Sequence, residues 1–351
     1  MNSKVLFLLK RKENFDPGVD THIGITTGLY NSATFMKDML NNQNIPAELE
    51  ICIDNNCIDR LVTKHRPKFA IIEALWVVPS KFAILQKLHP TVTWIIRIHS
   101  EMPFMAGEGS AMDWIGDYSN CKNVVIACNA PRMLGEIRRY LCHKNDWTPD
   151  ETNSKVIYLP NYYPKDFISK SYEPINDTIK IGCFGAIRPL KNHLLQAHAA
   201  LEFAKHVNKK LEFHINSNRL EMKGDSVLNN LHGLFQHMAC KGHQLIGHLW
   251  APREQFLKIC AEMDLGMQVT FSETFNIVGA DVISQGVPLV GSNEIPWSDD
   301  RWNADPANSE DIFNKLVAIH NNPLNNVIDH QLGIVRYDEE TITVWTNYFK
   351  E

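Results

Sequence analysis

Residues Leu265–Ser292 read LGMQVTFSETFNIVGADVISQGVPLVGS, and this stretch decides the fold. Leu265–Val269 is an apolar run of strand length. Ile277–Gln285 carries apolar residues at helical spacing and stops at Gly286, and Val287–Gly291 is a second, β-branched run. A strand, a loop, a short helix and a strand of this length form a parallel unit. Ligands of such sheets bind beyond the carboxyl ends of the strands.

The loop at that end carries Glu273 and runs straight into the helix. The first helical amides, at Asn276, Ile277 and Val278, have no intrahelical partners and lie at the positive end of the helix, which suits a phosphate. Asp281 follows one turn past Ile277, so two carboxylates flank an anion site without filling it. That arrangement fits a sugar joined through a diphosphate to a nucleoside. The same residues also fit a blander account, in which Glu273 is a helix-start acid favoured by the dipole and Asp281 a solvated face residue.

The residue pattern resembles the donor-binding motif of family-4 glycosyltransferases (glycosyl transferases group 1) of the GT-B fold. There an acid is followed eight positions on by a second acid and then by a Gly-x-Pro-apolar exit. Here these are Glu273, Phe275, Asp281 and Gly286-Val287-Pro288-Leu289. Two departures stand out: Asp281 replaces the usual glutamate, and Thr274 and Asn276 occupy positions where glycines are common.

A chain of 351 residues suits two domains, each with its own core. Apolar residues at 44% and charged residues at 21% are the proportions of an ordinary globular protein. Lys plus Arg number 35 against 40 Asp plus Glu, a net charge of −5 that gives no general pull toward nucleic acid. The start, MNSKVLFLLKRK, has an apolar core of only Val5–Leu9 and reads as a first buried strand. No apolar run approaches the roughly 18–20 residues needed to span a bilayer. The eight cysteines are scattered without a C-x-x-C pair, so free thiols in a reducing cytoplasm are expected.

The N-terminal half alternates strand-like runs (Val5–Leu9, Leu49–Ile53, Phe69–Glu73, Thr93–Ile98, Val124–Ala127, Val156–Leu159) with helical patterns near Ser32–Leu40, Cys57–His65, Ser80–Leu88 and Pro131–Tyr140. Such alternation predicts a doubly wound α/β sheet. Gly24 and Gly28 precede the first helix, and Gly28 matches the glycine loop of the family that faces the donor. His99 and Glu101 end the Thr93–Ile98 strand, and His99 matches the family's N-domain histidine beside the transferred sugar. Arg132, Arg138, Arg139 and Lys144 form a basic group that suits either an anionic acceptor or a solvated face. Asn161 in YLPNYYP matches the family's exit from the first domain.

The second half opens with IKIGCFGAIRPLKNHLLQAHAALEFAK, read as a strand (Ile179–Phe184), a turn at Gly185 and a helix from about Leu190. Arg188 and Lys191 stand at the strand–helix junction, where two cations can hold a diphosphate as it departs. From Gly185 through Pro189 to Lys191 the stretch resembles the family's diphosphate segment. The family's arginine directly after the glycine is Ala186 here, with Arg188 expected in its place. Leu211–Ile215 and Gln244–Gly247 are further strands. The stretch from Glu339 to Phe349 is a helix, and no D-x-D metal signature occurs.

The resemblance implies GT-B architecture, two Rossmann-like doubly wound domains facing across a cleft. Residues 1–164 would form the acceptor side, 165–178 a linker, 179–335 the nucleotide-sugar domain, and 336–351 a helix packed back on the first. It implies a retaining, metal-independent transferase with no tightly bound cofactor and a nucleotide-sugar donor, a UDP-sugar foremost. Glu273, His99, Lys191 and Arg188 would act in catalysis. Arg188, Lys191, Asn276, Ile277, Val278, Asp281 and Gly28 would hold the donor. The acceptor is open between a cytoplasmic glycan or lipid-linked sugar, a small metabolite and a hydroxymethylated DNA base, the last because bacteriophage enzymes that modify DNA share this fold. A sugar-nucleotide epimerase and a non-catalytic binding subunit are the alternatives, and oligomeric state is not readable.

Overall fold

A computed structural model of the chain describes residues 5–10, 28–172 and 176–350. The chain divides into two compact units, Met1–Tyr163 with Asp338–Glu351, and Pro164–Tyr337.

The first unit holds six strands: β1 (Val5–Lys10), β2 (Ala47–Cys52), β3 (Phe69–Glu73), β4 (Thr93–Ile98), β5 (Val124–Cys128) and β6 (Val156–Tyr158). All neighbours are parallel in the order β2-β1-β3-β4-β5-β6. Because strand side chains alternate, one strand feeds two cores. Leu6, Leu8, Ala70, Ile72 and Ile96 face a cluster with Phe82 and Tyr118. Val5, Phe7, Phe69, Ile71 and Ile95 face another with Met36, Trp345 and Phe349. Both faces are covered, which is why these strands read as nearly unbroken apolar runs. Gly28 is the first residue of the Gly28–Asn42 helix, and Gly24 lies outside the described residues.

The second unit holds β7 (Thr178–Gly182), β8 (Lys210–Asn216), β9 (Gln244–His248), β10 (Leu265–Met267) and β11 (Leu289–Val290). They are parallel in the order β11-β10-β7-β8-β9. The chain moves outward from β7 to β9 and then crosses to β10 on the other side of β7. The β7–β10 junction is therefore the switch point where a crevice opens. Residues Pro164 to Tyr172 are strapped to this unit. The Ile168 amide donates to Ser284 O at 2.7 Å, Lys170 to Ala261 O and Met263 O at 2.8 and 2.7 Å, and the Tyr172 hydroxyl to Gly286 O at 2.9 Å. The rest of the 165–178 stretch includes residues 173–175, outside the described residues.

Within the deciding stretch the strands are shorter than their apolar runs. β10 stops at Met267 because its continuation turns to side chains. Val269 N is taken by Gln196 Oε1 at 2.8 Å and Val269 O by Asn192 Nδ2 at 3.1 Å. The helix is Ile277–Ser284, closed at Gly286 with φ of +67°, a conformation glycine adopts without steric cost. β11 is only two residues long, and Asn326 acts as its partner on both backbone groups, taking Leu289 N at 2.8 Å and giving to Leu289 O at 2.9 Å.

Asn326 belongs to the last helix, Pro323–Lys350, 28 residues against the shorter Glu339–Phe349 segment read from sequence. Several helices, among them Ala111–Tyr118, Pro149–Lys155, Gly224–Met238 and Ser309–Asn321, lie outside the segments singled out from sequence. In the second unit the last helix approaches the Trp297 segment closely at Gly333, where an added Cβ would lie 2.0 Å from Trp297 O. Glycine in a helix interior ordinarily costs about 1 kcal/mol relative to alanine. Here overpacking, typically about 1–3 kcal/mol, opposes that gain against a backbone atom that cannot swing away. Gly333→Ala is expected to lower the thermal midpoint, and a raised midpoint in calorimetry would show that the helix shifts freely.

Candidate functional site

The loops at the β7–β10 switch point bring several sequence-predicted residues together. Gly185 takes φ of +113°, which a side chain would resist, and its amide donates to Asn216 Oδ1 at 2.8 Å. A Cβ there would lie 3.8 Å from both Lys191 Cε and Val278 Cγ2, so the glycine turn, the lysine and the helix start are neighbours. The Lys191 ammonium meets Glu273 Oε1 at 2.5 Å, with both side chains only 9% exposed.

The turn after β7 is a 3-10 segment, Pro189–Lys191, ended by Asn192 at φ of +57°. Gln196, one turn into the His193–His206 helix, donates to Lys191 O at 2.8 Å, and Phe271 N donates to Leu190 O at 3.0 Å. These bonds, with those of Gln196 and Asn192 to Val269, fasten the lysine loop to the glutamate loop. Asn276 is also left-handed, at φ of +62°. It caps the next helix by accepting from Gly279 N at 2.8 Å, while its Nδ2 donates to Gln268 Oε1 at 3.0 Å, and Gln268 Nε2 donates to Phe184 O at 2.9 Å. The cap engages the third helical amide. The amides of Ile277 and Val278 are the first two of the helix and so have no intrahelical acceptor.

Two predicted residues are engaged elsewhere. Arg188 Nη1 donates to Glu221 Oε2 at 2.9 Å. Glu221 also holds Arg219, whose guanidinium lies 4.5 Å over the Trp250 ring. The Asp281 carboxylate is 4% exposed, and Arg253 donates to one of its oxygens at 3.1 and 3.0 Å. Neither partner was legible, because Glu221 and Arg253 lie 33 and 28 positions away with no periodic relation.

In the first unit His99 belongs to a buried polar network at the carboxyl edge. Its Nε2 bonds Glu73 Oε2, and its Nδ1 lies 3.3 Å from Asn129 Nδ2. Arg97 donates to both Glu73 oxygens at 3.2 and 3.3 Å, to Leu159 O at 3.0 Å, to Pro160 O at 3.1 Å and to Asn161 Oδ1. Its guanidinium lies 5.1 Å from the Trp345 ring centre. Glu73 and Arg97 are fully buried, and the His99 side chain is 14% exposed. Burial pushes the Glu73 carboxyl up, but the charges of Arg97 and His99 outweigh it and hold the group below its ordinary value. Burial lowers His99, against the pull of Glu73. Charged residues closing apolar runs, the Glu of FAIIE and the Arg of TWIIRI, were the signals that could have revealed this network. Glu101 is held by Arg132 Nε at 2.8 Å.

Among the described residues no three His, Cys, Asp or Glu side chains come together as a metal set, and no helix is long and apolar enough to cross a membrane. No family model and no curated protein sequence matches the chain. Solved structures do match. A sucrose-phosphate synthase from Thermosynechococcus elongatus aligns at TM-score 0.68 and 10% identity over 99% of this chain and 98% of its own. A UDP-forming trehalose-phosphate synthase from Burkholderia xenovorans gives 0.63 and 11% over 99% and 98%. HepE of Anabaena, in complex with UDP, gives 0.60 and 11% over 98% and 100%. At these identities the likeness is one of fold, and the fold is GT-B.

The Glu73–Arg97 pair yields a stability test. Removing one partner of a buried pair typically costs about 3–5 kcal/mol, because the other charge is left without compensation. Arg97→Leu is expected to destabilise the first unit on that scale. Glu73→Gln added to it should recover part of the loss, and denaturation curves showing no recovery would mean that the arginine acts through Trp345 and the backbone carbonyls instead.

Proposed function

We propose that the chain is a glycosyltransferase that moves a sugar from a nucleotide-diphosphate sugar to an acceptor hydroxyl, with retention of configuration. The observation that carries this reading is the Lys191–Glu273 pair, buried at the switch point of a GT-B sheet beside Gly185 and the start of the Ile277–Ser284 helix. Transfer from such a donor needs charge stabilised on the departing diphosphate and the sugar held by its hydroxyls. Lys191 and the amides of residues 276–278 are assigned to the diphosphate, and Glu273 to a hydroxyl of the transferred sugar. Arg188 is assigned to the diphosphate by the sequence resemblance, a role that requires release from Glu221. Asp281, with Arg253 on the same carboxylate, is assigned to the ribose.

His99 is assigned to the transferred sugar by the same resemblance, and Gly28 to the donor. The bond to Glu73 fixes the tautomer of His99, with Nε2 as donor and Nδ1 left to accept from Asn129 Nδ2. UDP-sugars are the first donors to test, since HepE was solved with UDP and the Burkholderia synthase is UDP-forming. The acceptor is a glycan, a lipid-linked sugar or a hydroxymethylated DNA base, and the site is assigned no metal.

The direct test is nucleoside-diphosphate release from UDP-, GDP-, ADP- and TDP-sugars, each alone and with hydroxymethylcytosine-containing duplex DNA. Release from one donor that rises with the DNA identifies a DNA-modifying transferase. Release unchanged by DNA directs the search to glycan and lipid acceptors. An altered sugar-nucleotide without release points to an epimerase, and silence across the panel to a binding subunit. With the active donor, Lys191→Ala and Glu273→Ala are each expected to lower turnover by about a hundredfold or more, the scale of a lost transition-state contact. Near wild-type rates for both would remove the assignment.

A further inference from the structure

Two residues beyond Lys191, the sequence places a histidine that the assigned roles leave unused. His193 is the first residue of the 14-residue His193–His206 helix and is 1% exposed, yet neither ring nitrogen has a hydrogen-bond partner. Buried polar side chains are nearly always satisfied, so an imidazole with both nitrogens unmet needs an explanation. The surroundings narrow it. Asn192, directly before it, is fixed by bonds to Val269 O at 3.1 Å and Pro306 O at 2.8 Å. Gln196, on the next turn, bridges Lys191 O and Val269 N at 2.8 Å each. The ring therefore hangs from a helix start clamped on both sides, with little freedom to find another partner.

The facing loop repeats the feature. Thr270, three positions before Glu273, is 1% exposed, and its hydroxyl also has no partner. Each loop that carries one member of the Lys191–Glu273 pair thus buries an unmet polar group close to it in the chain. The charges beside His193 select the ligand. Burial first, then Lys191 and Arg188, push the imidazole down to about 3, so it is neutral at pH 7, with one N–H and one lone pair. Those same cations disfavour a cationic ligand. A neutral N–H within the field of Lys191 and Arg188 suits an oxyanion.

We propose that His193 is a phosphate contact of the donor, its imidazole N–H donating to an oxygen of the same diphosphate that Lys191 holds. This rests on the nucleotide-sugar reading and adds to it a residue outside the diphosphate segment matched from sequence. The neutral ring would bind the anion without adding to the positive charge that must be buried when the site is empty.

The test is calorimetric titration of wild type and His193→Leu with UDP, GDP, ADP and TDP, and with inorganic pyrophosphate as a base-free probe, alongside thermal unfolding without ligand. His193→Leu keeps the volume and removes the unmet nitrogens. Its midpoint should match or exceed wild type, while its affinity for the nucleotide that wild type binds should fall about tenfold or more, as for a hydrogen bond to a charged group. Unchanged affinity overturns the His193 proposal and leaves the nucleotide-sugar reading standing. No binding of any probe by wild type overturns both. Should His193→Leu fail to fold, wild type labelled with 15N-histidine is decisive, with the resonance assigned through His193→Gln. The His193 ring nitrogens should shift on addition of the nucleotide, and unmoved resonances overturn the proposal.

Discussion

The Lys191–Glu273 ion pair sets the terms for the loops around it. Two charges with side chains 9% exposed have lost most of their water, and their mutual attraction offsets that only while the geometry is held. The holding is done by neutral amides. Gln196 and Asn192 reach across to Val269, and Asn276 joins Gln268, which joins Phe184. These side chains replace the backbone ladder that β10 would otherwise extend. A ligand that enters must supply what each charge gives up, an anion for the ammonium and a hydrogen-bond donor for the carboxylate. A sugar phosphate carries both groups.

The first unit handles buried charge differently. Arg97 spreads its donors over Glu73, three acceptors of the Leu159–Asn161 segment and the face of Trp345. The guanidinium is thereby used up in holding the carboxyl ends of β3, β4 and β6 to the final helix, which adds its own bond from Trp345 Nε1 to Pro160 O at 2.9 Å. His99 is the partly exposed member of this network. With Glu73 on Nε2 and Asn129 beside Nδ1, its imidazole is held from both sides, whereas a ring held by solvent alone would sample several rotamers.

The parallel sheets were legible because strands buried on both faces leave continuous apolar runs. Phe69–Glu73, Thr93–Ile98 and the Cys57–His65 helix match their sequence reading to the residue, each ended by a charge or a polar turn. The deciding stretch was legible in order but not in extent, since Val269 and Val287 look like strand residues while their backbone bonds go to Gln196 and to Val282 O. At the site, the positions of Gly185, Lys191 and Glu273 could be read, but their pairing could not. Glu73 and His99 are 26 residues apart and Lys191 and Glu273 are 82, separations that leave no pattern in one sequence. Burial was equally hidden: nothing in LKNHLL says that the histidine is inside.

The Ala186 departure ties these observations together. Where the resembling segment has an arginine this chain has Ala186, and the guanidinium of nearby Arg188 is drawn to Glu221, which is shared with Arg219. Positive charge at the switch point is then carried chiefly by Lys191, and Glu273 already balances that. Stacking further cations beside a buried lysine would raise the desolvation cost of the empty site. Neutral donors would not: the amides of Ile277 and Val278, and an imidazole kept neutral by the same low-dielectric surroundings, can be stored without net charge. In low-dielectric surroundings such dipoles act more strongly than at the surface.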